Sequence, residues 1–200
     1  MTAVRLALDE EVDRLCSVLA RAFADDPVSA HLIPGPRRRP GGLRAFFSIQ
    51  MRQEVLPFGG AFTTDDLAGA ALWVPPGRPP TPMRSAALAL LPVVPYVAGR
   101  HLGRTVAGLV QIASLRPREP HWYLATLGTD PSRQRQGVGS ALLAPVLARC
   151  DAEGARAYLE SSKEANLPFY RRHGFEVSGQ VRLAGGPTVW TMWREPRPPA

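Results

Sequence analysis

Residues 130–140 have the residue types and spacing of an anion-binding turn. The apolar run 124–129 predicts a strand that ends at this turn, and Gly137 and Gly139 stand where a helix is predicted to begin. The first amides of a helix have no intrahelical partner, and glycine lets the backbone approach a phosphate without a Cβ in the way. The segment is therefore predicted to bind a phosphate-rich ligand, with two arginines at its rim.

Two familiar phosphate-binding patterns do not fit this turn. The dinucleotide fingerprint has three glycines and an acidic residue for the ribose, whereas this turn has two glycines and no acid so placed. A P-loop needs Gly-Lys-Ser or Gly-Lys-Thr, and the chain contains neither. The turn by itself predicts anion binding without identifying the ligand.

Predicted strands and helices precede the turn. Residues 4–8 have the pattern of a strand, after which Asp9 is predicted to cap an amphipathic helix. The arginine-rich stretch 37–42 is predicted to be an exposed loop, followed by a second helical region that includes Phe46 and Met51. A hairpin is predicted over residues 60–74.

A Pro-punctuated insertion at residues 79–120 is predicted to form a helical lid or a substrate wall. Its second helix is predicted to carry an apolar side that includes Leu102, Val106 and Val110. Strands and helices then alternate to the C-terminus, which predicts an α/β sheet of mixed direction. In chain order these elements are strand 122–129, helix 137–153, strand 155–161, helix 164–173, and strands 175–183 and 188–194.

The composition predicts one folded domain, residues 1–200, with a basic surface. Two hundred residues with 45% hydrophobic content suffice for one buried core. The net charge of +7 attracts anionic cofactors and nucleic acids alike. The arginine run 37–39 has no interleaved aromatic residues, which favours a solvated loop over a nucleic-acid site.

The cysteines and histidines predict neither a disulfide framework nor a metal site. Cys16 and Cys150 are too few and too far apart, and the four histidines lack the spacing of metal ligands. The most apolar stretch, residues 86–99, is short and interrupted by prolines, so no membrane span is predicted. With no signal-peptide pattern, we expect a cytoplasmic protein.

Three motifs resemble those of the GNAT family of N-acetyltransferases. Residues 127–131 resemble the family's L-x-V-x-P stretch, with Thr129 in place of Val. Residues 134–139 are similar to its Q/R-x-x-G-x-G/A signature, and residues 166–175 to its N-x-x-x-Y segment followed by Gly-Phe. The motifs occur in the family's order, which makes the resemblance specific.

The resemblance implies that acetyl-CoA is the co-substrate. The residues expected to bind it are Leu127, Gly128, Thr129, Gln134, Arg135, Gln136, Gly137, Val138, Gly139, Ser140 and Asn166. Among these, the Leu127 amide is expected to polarise the thioester carbonyl, while backbone groups of Leu127 and Thr129 hold the pantetheine arm.

Tyr170 and Glu160 are the candidates for proton transfer. A phenol has a pKa of about 10, so Tyr170 is protonated at neutral pH and can supply a proton to the leaving thiolate. Asn166 lies one helical turn earlier on the same side, which favours this role over simple packing. Glu160 is predicted near a strand end, where it either accepts the proton of the amine or only orients an arginine or a backbone amide.

The implied fold is α/β, with a GNAT-like mixed, mostly antiparallel sheet that is flanked by helices and splayed at the acetyl-CoA site. The expected reaction is acetyl transfer to a primary amine of a small molecule, such as an aminonucleoside antibiotic, which would confer antibiotic resistance. The alternatives are a protein N-terminal or lysine acetyltransferase and a non-catalytic acyl-CoA-binding regulator. We expect no nucleic-acid or membrane partner and no metal, and a homodimer is compatible with these expectations.

Overall fold

A seven-stranded open sheet forms the centre of the protein. The computed structural model describes residues 3–77, 91–97 and 101–197. The strands are β1 Val4–Leu6, β2 Ala61–Thr64, β3 Gly69–Val74, β4 Trp122–Thr129, β5 Ala157–Ser161, β6 Glu176–Arg182 and β7 Thr188–Arg194. Their order is β1-β2-β3-β4-β5-β7-β6, and every neighbouring pair is antiparallel except β4 and β5, which are parallel. The predicted mixed, mostly antiparallel sheet is confirmed.

Helices flank the sheet. They are α1 Val12–Ala22, α2 Pro27–Leu32, α3 Arg39–Ile49, α4 Leu102–Ser114, α5 Val138–Glu153 and α6 Leu167–Arg172. A π-helical segment, Gln50–Val55, continues α3, and short 3-10 turns include Asp9–Glu11, Leu91–Tyr96 and Pro131–Arg133.

Two hydrophobic cores hold the helices against the sheet. One is built mainly from α1, α3 and the first strands, and its fully buried side chains include Leu15, Leu19 and Leu72. The other surrounds α5, with Leu142 and Leu143 packed with strand residues such as Trp73 and Leu159. Successive side chains of a strand point to opposite faces of the sheet, so β3 contributes Leu72 to one core and Trp73 to the other. This strand therefore belongs to both cores.

Two local predictions were wrong. Asp9 does not cap α1: it lies in the 3-10 turn, and the Glu11 carboxylate accepts the Leu8 amide hydrogen at 2.9 Å. Arg37 and Arg38 lie in an exposed turn as predicted, but the chain becomes helical at Arg39, whose guanidinium donates to three backbone carbonyls, those of Ile33 and Ala24 at 2.9 Å and that of Pro34 at 3.5 Å. This arginine therefore satisfies main-chain groups at other chain segments instead of being solvated.

The insertion 79–120 lies partly outside the described residues, which leave out 78–90 and 98–100. Its second predicted helix is present as α4, but the predicted apolar side does not face the core. Val106 and Val110 are 49% and 53% exposed, whereas Thr105 and Gly108 are buried against the protein. The Thr105 hydroxyl donates to the Leu32 carbonyl at 2.6 Å, so α4 docks on α2 through a polar contact and a glycine. In the described part of the chain no helix is long and apolar enough to cross a membrane.

Gly69 allows β3 and β4 to pair closely beside residues 130–140. A Cβ at Gly69 would lie 2.5 Å from the carbonyl oxygen of Gly128, a backbone atom that cannot move without disturbing the pairing. Gly69→Ala is expected to lower the free energy of unfolding by about 1–3 kcal/mol in chemical denaturation. Gly103→Ala is the control, since a Cβ there meets nothing within 4 Å on α4, and it should leave stability unchanged or raise it by up to about 1 kcal/mol. Equal stability of the two variants would contradict the prediction.

Candidate active site

The parallel strands β4 and β5 separate along part of their length. They are paired only at Trp122, Tyr123 and Leu124, opposite Ala157, Tyr158 and Leu159. The rest of β4, as far as Thr129, and the last two residues of β5 have no partner across this gap. The sheet is therefore splayed at the C-terminal ends of these strands, where parallel strands of α/β proteins commonly bind ligands.

A β-bulge in β4 coincides with the point of separation. Leu72 of β3 is opposite Thr126, but the next residue, Trp73, is opposite Leu124, so Ala125 is an extra residue on β4. Leu124 and Leu127 consequently both pack on the α5 side, while Thr126 donates to the Gln50 side chain at 2.6 Å on the other side. A β-bulge bends its strand and changes the direction of the side chains that follow, and this bulge lies where β4 loses its pairing with β5.

The turn after β4 has a backbone that leaves its amides free. Arg135 has φ 62° and Gly137 has φ 83°, both in the left-handed region, which is costly for a non-glycine residue such as Arg135. Among the described residues, none accepts a hydrogen bond from the backbone amides of residues 134–140, and the first intrahelical bond runs from Ala141 to Gly137 at 3.0 Å. A row of free donors therefore lies at the start of α5, together with the positive end of the helix dipole.

Side chains of the turn stabilise its shape. Gln134 donates to the Thr129 carbonyl at 3.3 Å, and Gln136 donates to the Ser132 carbonyl at 3.2 Å. Arg133 is paired with Asp66 at 2.7 Å, which directs its charge toward the β2–β3 hairpin. The predicted binding residues Gln134 and Gln136 thus have local structural partners, while Arg135 remains an exposed cation of the turn.

Glycines permit close packing around the turn. A Cβ at Gly139 would lie 3.3 Å from the Phe169 ring, so Gly139 lets α6 approach the start of α5. A Cβ at Gly128 would lie 2.6 Å from Leu19 on α1, so the space at Gly128 is used by α1. Both glycines were predicted to bind a ligand; in the structure a Cβ at Gly128 would overlap Leu19, and one at Gly139 would crowd Phe169, so each also has a packing reason.

Tyr170 is packed in the α5 core, 8% exposed, with its ring against those of Phe169 and Phe175 at centroid distances of 5.2 and 6.1 Å. Burial, together with the nearby charge of Asp26, raises the pKa of the Tyr170 phenol. The phenol therefore keeps its proton throughout the physiological pH range. None of the described side chains forms a hydrogen bond with its hydroxyl. The predicted neighbour Asn166 is exposed at the start of α6.

Glu160 lies on β5 with two tyrosines. The Tyr123 hydroxyl donates to Glu160 Oε2 at 2.7 Å, whereas Oε1 is buried without a hydrogen-bond partner in the described structure. Burial raises the pKa of Glu160, and this effect exceeds the opposing effects of Tyr123, Arg116 and Tyr158. A buried carboxylate with one unused oxygen and a raised pKa is suited to accept a proton.

The insertion covers this carboxylate. The Arg116 guanidinium lies 4.1 Å from the centre of the Tyr123 ring, and the Leu115 carbonyl accepts the Tyr158 hydroxyl at 2.9 Å. Both residues directly follow α4, so the end of the insertion forms a wall over Glu160 and its tyrosines. Sequence patterns placed Tyr123 and Glu160 on separate strands but did not bring them together, since this contact depends on the register of β4 against β5.

Asp25 and Asp26 connect the α1–α2 loop to the loop after β5. Lys163 Nζ lies 2.8 Å from Asp25 Oδ1, and the Ser162 hydroxyl donates to Asp26. Asp26 also caps α2 by accepting the Ser29 amide hydrogen at 2.8 Å. Asp26 therefore has a structural role at the start of α2, and the two loops form a contact near Tyr170 that sequence analysis did not predict.

Titratable side chains do not cluster as metal ligands in the described regions 3–77, 91–97 and 101–197. Cys16 and Cys150 are buried free thiols, and burial raises the pKa of each to about 11. Neither cysteine is therefore a thiolate at neutral pH.

Comparisons with known proteins point to one family. The model of the Acetyltransferase (GNAT) family matches residues 74–175. An uncharacterised N-acetyltransferase of Schizosaccharomyces pombe is 27% identical over 87% of this chain and 74% of its own length. The N-alpha-acetyltransferase RimI of Mycobacterium tuberculosis is 32% identical over 52% of this chain and 69% of its own.

Solved structures share the whole fold. A crystal structure from Corynebacterium glutamicum, described as histone acetyltransferase HPA2 and related acetyltransferase, is 27% identical with a TM-score of 0.72, covering 100% of this chain and 99% of its own. The polyamine N-acetyltransferase of Drosophila melanogaster has a TM-score of 0.69 at 18% identity, covering 98% of this chain and 100% of its own. At that lower identity the likeness concerns the fold alone.

Proposed function

Because this chain belongs to the GNAT family of acetyltransferases, enzymes that use acetyl-CoA as co-substrate, we propose that its splayed strands and free-amide turn hold acetyl-CoA for transfer to a small-molecule amine. The observation that carries the proposal is the position of the free amides of residues 134–140 directly beyond the gap between β4 and β5. A diphosphate at the turn and an extended arm in the gap would use both features together.

The residues present fit this co-substrate. Seven consecutive residues, 134–140, offer amides without acceptors in the described structure, which is the donor set a diphosphate requires. Backbone groups of Leu127 and Thr129 line the unpaired part of β4, where a pantetheine amide would complete the missing strand pairing. Acetyl-CoA supplies an acetyl group activated as a thioester. The Leu127 amide would donate to the thioester oxygen as negative charge develops there.

Tyr170 would act as the general acid. Its raised pKa keeps the phenol protonated, and the burial that raises it also makes a thiolate formed beside Tyr170 a stronger base, so the proton can pass to the sulfur as the C–S bond breaks. Its ring is fixed by Phe169 and Phe175 and by its place on α6, which limits the geometries it can adopt. Asn166, at the exposed start of the same helix, would hold the pantetheine arm.

Glu160 would accept the proton of the amine, directly or through a water molecule. The unpartnered Oε1 is the available acceptor, while Tyr123 holds Oε2 and so orients the carboxylate. An incoming alkylammonium ion also compensates the buried negative charge, which favours cationic amines at this site. The alternative is a structural Glu160 that only orients an arginine or a backbone amide, and the pH measurement below distinguishes the two roles.

For the acceptor we propose a small amine such as an aminonucleoside antibiotic, which would make the enzyme a resistance factor. Residues 116–125, 159–161 and 166–170 resemble those of puromycin N-acetyltransferase. These stretches contain Arg116, Tyr123, Glu160 and Tyr170, the residues that surround the proposed reaction centre.

A protein N-terminus is the second candidate acceptor. The relative RimI is by its name an N-alpha-acetyltransferase, and its 32% identity covers 69% of its length. The wall that Leu115 and Arg116 form over Glu160 favours a compact acceptor, because an extended peptide needs an open groove.

A thiol-release assay with acetyl-CoA tests the acceptor. The panel comprises puromycin, a dipeptide with a free N-terminus, and a peptide whose N-terminus is blocked by acetylation but whose lysine side chain is free. The proposal expects the highest kcat/KM with puromycin, and a preference for the dipeptide would assign the chain to N-terminal acetylation instead. Binding of acetyl-CoA without thiol release from any amine would favour a non-catalytic regulator.

Tyr170→Phe removes the proposed acid and keeps the ring. With the best amine of the panel, kcat is expected to fall by about 10²–10⁴-fold, because the thiolate loses its proton donor. The Kd for acetyl-CoA, measured by calorimetry, should change by less than about threefold. An unaltered kcat in Tyr170→Phe would exclude the role of acid.

The pH dependence of kcat/KM tests Glu160. As the pH falls through the raised pKa of Glu160, the carboxylate binds a proton and can no longer accept one. The profile of kcat/KM should therefore have an acidic limb, in which the rate falls at a pH above the ordinary pKa range of glutamate. Tyr123→Phe should move this limb to still higher pH, because the Tyr123 hydrogen bond lowers the pKa of Glu160. Glu160→Gln should abolish the limb and lower the rate by about 10²-fold or more. An intact acidic limb in Glu160→Gln would assign Glu160 a structural role.

A further inference from the structure

A hydrogen bond joins the turn at residues 134–140 to the end of α6. Ser140 Oγ lies 3.0 Å from His173 Nε2. Ser140 belongs to the first turn of α5, so its amide and hydroxyl both lie where an anion is stabilised. His173 directly follows α6, the helix that carries Tyr170. A titratable ring therefore contacts the turn from outside it.

Packing fixes this ring in place. The His173 ring lies edge-on to Phe169 at a centroid distance of 4.9 Å, and Phe169 in turn packs against Gly139 at the start of α5. The His173 carbonyl accepts the Arg194 Nε hydrogen at 3.0 Å. Ring and main chain are thus both held, so the distance from Nε2 to Ser140 is set by the fold.

Positive charges surround His173. Arg172 precedes it on the chain, Arg194 reaches it from β7, and the Arg197 guanidinium lies against Gly174. The acidic group near these arginines is Asp151, which binds Arg194 at 2.8 Å and the Arg197 amide at 2.7 Å. Burial, and after it the charges of Arg172, Arg197 and Arg194, hold the pKa of His173 below its usual range. The ring is therefore neutral in the free protein at neutral pH.

The protonation of His173 decides what the Ser140 hydroxyl can do. When the ring is neutral with its proton on Nδ1, Nε2 accepts the hydroxyl hydrogen of Ser140, which then has no donor left for a ligand. In the charged ring both nitrogens carry protons, so Nε2 always donates to Ser140 Oγ, and the hydroxyl hydrogen is free to point at an anion beside the turn. A bound diphosphate also offsets the three arginine charges that disfavour a charged imidazole.

We propose that His173 is a positioning residue for the diphosphate of acetyl-CoA, which takes up a proton from solvent on binding and thereby turns the Ser140 hydroxyl toward the ligand. The inference rests on the proposed function, since it requires a diphosphate at this turn. Ligand binding and protonation then stabilise each other, so affinity rises as the pH falls through the pKa of the bound state.

Isothermal titration calorimetry with dephospho-CoA tests the proposal on the full chain. This probe keeps the diphosphate but lacks the 3′-phosphate, a monoester that titrates at about pH 6 and would obscure the protein's own proton. Titrations in buffers of different ionisation enthalpy give the number of protons bound. We expect uptake of roughly half a proton at about pH 6.5 and none at about pH 9, with Kd about three- to tenfold lower at the acidic end.

The variant His173→Gln separates titration from hydrogen bonding. A glutamine amide can donate to Ser140 without titrating, so affinity at about pH 6 should stay within about threefold of the wild type while proton uptake disappears. Ser140→Ala should weaken binding at the acidic end, since the hydroxyl donor is lost. His121→Gln is the matched control: His121 is another partly buried histidine with a lowered pKa, held by the Glu119 carbonyl at 2.6 Å, next to the N-terminal end of β4. It should leave the uptake unchanged.

The outcomes distinguish this inference from the proposed function. The role of His173 would be overturned if dephospho-CoA bound the wild type without proton uptake, or if the uptake persisted in His173→Gln. Either result would leave acetyl-CoA binding intact. Uptake lost in His121→Gln would assign the proton to another part of the chain. No heat of binding with either dephospho-CoA or acetyl-CoA would overturn both proposals.

Discussion

The gap between β4 and β5 is the constraint on which the rest of the structure depends. Two parallel strands that begin side by side at Trp122 and Ala157 lose their pairing after Leu124 and Leu159, so main-chain groups at the centre of the sheet lack strand partners. Unpaired main-chain groups inside a protein are unfavourable unless something else bonds with them. The extra residue Ala125 turns β4 aside, and the antiparallel pairing of β5 with β7 keeps the other side in place.

The packing around the gap keeps it open. Gly128 lets α1 lie directly on the end of β4, and Gly139 lets α6 lie against the start of α5. The two helices thereby hold the two sides of the opening, and the contacts of Asp25 and Asp26 with the loop after β5 link them across it. The geometry of the site is consequently a property of helix packing as much as of the turn itself.

Burial raises the pKa of both proton-transfer candidates, and the consequence differs between them. It raises the pKa of Glu160, which makes this carboxylate a better proton acceptor, and it raises the pKa of Tyr170, which preserves a proton to donate. A buried carboxylate with a raised pKa makes the folded state less stable as the pH rises above the unfolded value, because the folded protein then holds a proton more tightly than the unfolded chain. An unpaired Oε1 is therefore a local loss of stability at a position where the proposed chemistry needs a free acceptor.

The sequence by itself determined the local elements that bear the site. Strong periodicity and glycine placement predicted β4 as Trp122–Thr129, β7 as Thr188–Arg194 and a helix that begins beside Gly137, because these signals act over a few neighbouring residues. Only the tertiary structure decided which groups meet. The contacts of Tyr123 with Glu160 and of Ser140 with His173 join residues 37 and 33 positions apart, and they depend on strand register and helix docking. The same reason explains why the buried side of α4 was not predicted. Its periodicity indicated that the apolar side would be buried, whereas the side that contacts the protein carries Thr105, which bonds with α2.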